Sequence, residues 1–342
     1  MGRVVSDARM LARALGEPAS VVGLDAEGWT ALLAMARAEQ LIGTLALRLD
    51  GLPMPAAVAA ILGDARAAAE QGRRAALWEA EMARRALVVV DCPVVLLKGT
   101  AFVATGSSAG QGRSIGDLDI LVPRQALDAV EAALLAAGWE WVKPDPYDDA
   151  YYRRWMHELP PLIHRERDRM IDVHHTILPL TARITPDASV LIAESVALRQ
   201  GTRNGLRTLS PNGMIVHAAA HLLADGDLAG GLRNLWDIRC LVEEFGTDGL
   251  AIEAHRHGLH REVARSLRLV GVLFGDASRD GSGDGIGTRG IDRLYVRRLT
   301  ARDDWGRPTR PFTCFAFYVR SHWLRMPPAM LARHLWTKWR KV

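Results

Sequence analysis

Through the first ninety positions apolar residues return every three or four places, the period of a helix with one buried face. Stretches 7–15, 26–49 and 55–90 are rich in Ala, Leu, Arg and Glu and are predicted as helices, with Pro53 and Pro55 punctuating the gap. Around 75–90 the spacing makes Leu77, Trp78, Met82 and Leu87 core contacts. The period then changes. Val94, Val95, Leu96 and Leu97 form an unbroken apolar run, the pattern of a buried strand. A second strand alternates around Leu118 and Ile120 and ends at Pro123. Residues 125–137 return to the helical period with Leu127, Val130, Leu134 and Leu135 inward, and Gly138 is placed to end that helix. Residues 139–142 and 151–156 read as short strands or extended segments around a loop at Lys143, Pro144, Asp145 and Pro146, and 169–175 reads as another strand. From about 179 the pattern is helical again. Ser210 and Pro211 start a helix that buries Met214, Ile215, Ala218, Leu222 and Leu223, and 232–245 forms the next. The expected organisation is α+β: an N-terminal helical region over 1–90, a core with a mixed central sheet over 91–178, and a C-terminal helical region over 179–342.

The candidate chemistry sits on the strands. Successive side chains of a strand point to opposite faces, so Asp117 and Asp119 share one face while Leu118 and Ile120 bury the other. Two carboxylates held that close repel unless something positive lies between them, and a hard divalent ion such as Mg²⁺ suits them. The bland alternative is a solvated acidic pair at a strand edge. Asp172 adds a third acid, set between Ile171 and Val173 on its own alternating segment; a neighbouring strand carrying it would bring the three acids together. Lys98 and Gly99 follow the buried run. Gly99 allows close backbone approach to a ligand, and Thr100 is placed to cap a following helix whose amides favour phosphate. Only four of the 43 basic residues are lysines, Lys98, Lys143, Lys338 and Lys341, so a lysine directly after a buried strand calls for a reason beyond a side chain snorkelling to solvent.

Lys-Gly after a strand, Arg113 ahead of Asp117-Leu118-Asp119-Ile120, a helix, Gly138-Trp139, and Ile171-Asp172-Val173-His174 together resemble the uncharacterised nucleotidyltransferase family of the DNA polymerase β-like superfamily, over about residues 90–245. The resemblance implies a polymerase β-like nucleotidyltransferase core. It implies Asp117, Asp119 and Asp172 as catalytic, metal-binding carboxylates and Gly99 as the glycine of the superfamily's Gly-Ser signature, with Thr100 in place of serine and a longer gap to Asp117. The expected reaction transfers the NMP group of an NTP such as ATP to an acceptor hydroxyl, on a protein, peptide or small molecule, with release of pyrophosphate. Mg²⁺ or Mn²⁺ is the expected cofactor, and Lys98, Gly99, Thr100 and Arg113 the phosphate contacts. In the helical region that follows, the same resemblance sets Leu232 to Ile238 against the nucleotide cleft, with Arg233 or His221 reaching the phosphates; an Arg233–Asp237 pair within one helix is the plainer account.

Composition bounds the class. At 342 residues and 49% hydrophobic the chain is long enough for a sizeable core. A net charge of +4 is too small to argue for nucleic acid, and no apolar run reaches membrane-spanning length. Cys92, Cys240 and Cys314 are widely spaced and no secretory signal is evident, so a cytoplasmic setting is expected. His217 and His221 lie four apart, a zinc spacing without an evident third ligand. Tyr151, Tyr152 and Trp155 suit either stacking on a base or core packing. The calcium-like run Asp280 to Gly285 has Ile291 where a bidentate Glu belongs, so 275–290 reads as a flexible linker. The aromatic and Arg-rich tail 310–342, with Trp323, Trp336 and Trp339, is expected to pack as a helix against the body. Two other functions fit parts of the pattern. A glycosyltransferase would use Asp117-Leu118-Asp119 as a DxD for a nucleotide sugar, and a catalytically idle module would keep the fold to bind a partner.

Overall fold

The computed structural model describes residues 7–198, 205–275 and 290–327. The N-terminal helical period is realised as α1 (Arg9–Gly16), α2 (Ala26–Ala38), α3 (Ile42–Arg48) and α4 (Ala56–Ala86). Asp25 starts α2 by accepting from the Gly28 amide. The helix expected over 26–49 is two helices, because Gln40 turns left-handed at φ 55° and stops the first. Leu11, Leu15, Leu32, Met35 and Leu45 are fully buried. α4 packs on α3 and on the strands' side of the molecule. Of the core contacts expected on it, Leu87, just past its end, is buried, but Trp78 is 51% exposed with the Arg167 guanidinium over its ring, so its face serves a cation.

The α/β part runs β1 (Val94–Leu96), α5 (Lys98–Thr105), β2 (Leu118–Leu121), α6 (Leu127–Ala136), β3 (Trp139–Trp141), α7 (Pro146–Trp155), β4 (Leu162–His164), β5 (Met170–His174), α8 (Ala188–Ala193), β6 (Val196–Ala197) and β7 (Leu206–Thr208). The strands form one seven-stranded mixed sheet in the order β3-β4-β5-β2-β1-β7-β6. β1 is buried because it lies between antiparallel β2 and parallel β7, as its unbroken apolar run requires. β2 pairs parallel with β5, and the register sets Leu118 against Ile171 and Ile120 against Val173 on the core face. β6 and β7 lie beyond residue 178, so the sheet draws on chain from the region expected to be helical. The segment 151–156, expected to be extended, belongs to α7. Asp145 accepts from the amides of Tyr147 and Asp148 and Pro146 opens the first turn, a complete helix start within residues expected to form a loop.

The remaining helices are α9 (Pro211–Ala220), capped by Ser210 as expected and continued by a π-helical turn at His221–Asp225, then α10 (Gly231–Phe245), α11 (Leu250–Arg256), α12 (His260–Phe274), α13 (Asp292–Leu299) and α14 (Pro311–Arg325). Leu232, Leu235, Ile238 and Leu241 bury one side of α10. α14 packs against α13 and the turn at His221–Asp225, as expected for the tail, and buries Phe317 and Ser321, but it leaves Phe312, Phe315 and Trp323 exposed. Trp336 and Trp339, and nearly all of the Gly-rich run with its calcium-like loop, lie outside the described residues. No helix among the described residues is long and apolar enough to cross a membrane.

Candidate active site

One residue, Leu97, separates β1 from α5, and the turn is made by Lys98 at φ 49°, a left-handed backbone that a side-chain-bearing residue adopts only at a cost. From there Lys98 Nζ donates to Asp119 Oδ1 at 2.7 Å. His174, the last residue of β5, brings Nε2 to 3.0 Å from the same oxygen. Asp172 lies beside Asp119 by strand register, away from the apolar face, and its Oδ1 is buried with no hydrogen-bond partner. Asp117 stands just ahead of β2 at the exposed rim. Asp119 is thus the centre of the expected trio, Asp172 its immediate neighbour and Asp117 the outermost member. Glu158, which the sequence did not single out, joins them: an isolated bridge pairs it with His174, whose Nδ1 is 3.3 Å from Glu158 Oε2.

Four carboxylates therefore surround one ammonium, and their ionisation reflects it. Burial works against the charge of Asp119, but Lys98 and His174 outweigh it and hold that carboxyl far below its usual range. At Asp172 the pull of His174 and Lys98 is outweighed: burial, then the charges of Asp119 and Glu158, push it up to about 7. Burial also raises Glu158, and burial with Asp119 raises Asp117. Burial disfavours the charge on Lys98, yet Asp119 lifts its pKa above the ordinary value. The aspartates offer the hard oxygen donors that Mg²⁺ or Mn²⁺ takes, and Asp172 Oδ1 is a donor with nothing on it. Among the described residues, however, the metal-ligating atoms that converge most closely are those of His157, Glu158 and His174, all within 4.8 Å of one another.

The expected phosphate contacts are placed differently. Arg113 is engaged by Asp237, which also accepts from Arg233 Nη2 at 2.5 Å and Nε at 3.1 Å. The intrahelical Arg233–Asp237 pair is present, and Arg113 joins it from the loop before β2. Gly99 makes room for Arg113: a Cβ there would stand 2.6 Å from Arg113 Nε. Thr100 is not a cap, because the left-handed turn at Lys98 starts the helix earlier; it sits inside the first turn, 1% exposed, with Oγ1 lacking a partner. His217 and His221 share a face, as their spacing requires, but neither belongs to a metal-capable group among the described residues. They line a small cavity with Lys98, Arg113 and Asn234. Burial, then Lys98, keeps both neutral: His217 well below its ordinary pKa and His221 down to about 3. Tyr152 on α7 is half-buried, with the charges of Glu158 and Asp172 acting on it.

His174 was legible in principle, since a period of two places it on the face of Asp172. His157 and Glu158 carry no periodic signal. Among solved structures, the chain matches one described as a crystal structure of ANT(2")-Ia in complex with adenylyl-2"-tobramycin, with a TM-score of 0.36 and 11% identity over 53% of this chain and 96% of that one. No curated protein matches it significantly. Residues 25–275, most of the chain, match the model of the uncharacterised nucleotidyltransferases, and the chain belongs to that family of transferases.

Proposed function

We propose that the chain transfers an NMP group from an NTP to an acceptor hydroxyl and releases pyrophosphate, with the chemistry centred on Asp119. The observation that carries this reading is the side-by-side register of Asp119 and Asp172 under the ammonium of Lys98. Asp117, Asp119 and Asp172 would hold Mg²⁺ or Mn²⁺, which when bound supplies Lewis-acid polarisation of the phosphoryl oxygens. Lys98 offsets charge that develops at the α-phosphate, in a buried setting where a fixed cation acts strongly. Asp172, with Oδ1 buried and unpartnered, would help hold the cation beside the attacking hydroxyl, whose proton passes to solvent. The other phosphates lie toward Arg113, on the side of the cavity it shares with His217, His221 and Asn234.

The test is incubation with each Mg²⁺–NTP and a cell extract, following pyrophosphate and the mass of modified acceptors. Pyrophosphate with an acceptor gaining one nucleotide mass is the expected outcome. Free nucleoside diphosphate from a nucleotide sugar would instead identify a glycosyltransferase, and failure to bind Mg²⁺–NTP by calorimetry would identify a binding module. An Asp117→Asn variant that transfers at the normal rate would sink the assignment of the trio.

A further inference from the structure

We propose that His157, Glu158 and His174 form a second cation site, for a dication of the Zn²⁺ type, beside the aspartates. His174 carries the geometry. The residue is 2% exposed; its Nε2 is held by Asp119 Oδ1 at 3.0 Å, while its Nδ1 is buried without a hydrogen-bond partner, 3.3 Å from Glu158 Oε2. A metal-ligating imidazole characteristically fixes its other ring nitrogen on a carboxylate, which orients the ring and raises its basicity, and Asp119 stands in that place. His157 completes the set, with Nε2 3.7 Å from the same Glu158 oxygen.

The donor set selects the ion. Two imidazole nitrogens and one carboxylate suit Zn²⁺ and its neighbours, and leave a fourth tetrahedral position open, whereas Mg²⁺ prefers oxygen donors throughout. Charge points the same way, since Asp119, Asp172 and Glu158 face the single ammonium of Lys98. A simple relay, with His174 bonded between two carboxylates, accounts for that residue alone. It leaves unexplained why His157 is 9% exposed and stacked on His174 with ring centroids 5.2 Å apart. The site takes no ligand from Asp117, Asp119 or Asp172, and it stands whether or not the chain transfers nucleotides.

The full-length chain, stripped with a chelator, is titrated with Co²⁺ as a visible probe. With excess Mg²⁺ present to fill the aspartate trio, the expected result is one Co²⁺ per chain with the absorption of tetrahedral coordination, displaced by Zn²⁺. His157→Gln and Glu158→Gln should each weaken binding by about a hundredfold or more, beyond what loss of an outer-shell partner costs. Asp117→Asn, which disables the trio, should bind Co²⁺ as the parent does, so loss of transfer and loss of this site are separable. Circular dichroism checks that the variants fold. If neither does, the parent's melt decides: a rise with equimolar Zn²⁺ but not Mg²⁺ supports the site, and no rise overturns it. The proposal also falls if no stoichiometric band appears, or if the band survives both substitutions.

Discussion

Two buried ionic centres flank Lys98, and they are balanced in opposite senses. Around Asp237 the cations are in excess. Arg113 and Arg233 take both carboxylate oxygens, and Arg233 Nη1 goes on to Thr44 Oγ1 at 2.6 Å, tying α10 to α3 and to the loop before β2. Around Asp119 the acids are in excess, and Asp172 Oδ1, His157 Nδ1 and His174 Nδ1 are buried with no partner. A buried polar group without a partner costs roughly 1–3 kcal/mol. Among the described residues, three such atoms lie on the side of Asp119, against one, Arg113 Nε, on the side of Asp237, so the first centre has more left to be completed from outside the chain and the second is completed almost wholly from within. The Asp119 centre is the proposed seat of the chemistry, and the Asp237 centre is a clamp between α10, α3 and the loop before β2.

Substitution separates the two. Asp119→Asn should lower turnover about a thousandfold or more, as expected when a charge that organises the reacting phosphate is removed, with a modest change in stability because Glu158 and Asp172 still oppose the Lys98 ammonium. Asp237→Asn should do the reverse. It leaves two buried guanidinia without their counter-charge, a loss of about 3–5 kcal/mol, while the molecules that remain folded keep turning over. Urea unfolding and pyrophosphate release, measured on both variants, check this. An Asp119→Asn chain that is badly destabilised yet active would invert the comparison.

The pH dependence isolates the acid-rich centre. Asp172 is raised to about 7 in the folded chain and sits near its ordinary value when unfolded. Between those two values the folded chain binds more protons, so Asp172 makes stability fall as pH rises through that window. Buried His221, depressed to about 3, acts with the opposite sign: its contribution is present above its unfolded pKa near 6.5 and is lost as pH falls. The difference between the parent and Asp172→Asn removes the histidine contribution from view. With chelator present, the parent should lose ground to the variant as pH rises from 4 to 7, and Mg²⁺ should flatten that slope. A flat difference profile without metal would mean that Asp172 is not the strained member.

How far the sequence carried depends on whether a signal was local. The runs at 94–97 and 118–121 show their strand character within four residues, and Asp172 was legible because its own alternation left a neighbouring strand as its natural place. The clamp was not, since Arg113 meets Asp237 across 124 positions and no neighbour in sequence marks Arg113 as already paired. His157 and Glu158 reach the centre through one isolated bridge to His174, which has no period to read. α7 escaped for a different reason: Asp145 and Pro146 carry the chemistry of a helix start, but between Pro144 and Pro146 the same residues also read as a loop.

The two smallest effects probe the residues between the centres. Gly99→Ala places a methyl 2.6 Å from Arg113 Nε, and Asp237 prevents the guanidinium from swinging away. The cost should be that of overpacking, about 1–3 kcal/mol, read as a lower urea midpoint. Thr100→Val next door should behave otherwise. Its hydroxyl is buried and unpartnered, so removing it breaks no bond in the free chain, and stability should stay within about 1 kcal/mol or rise. If that hydroxyl contacts the phosphates, as the family resemblance implies, KM for the NTP should increase while the melting temperature does not fall. A drop in melting temperature like that of Gly99→Ala would show instead that Thr100 is part of the clamp, and would move the boundary between the two centres to the far side of α5.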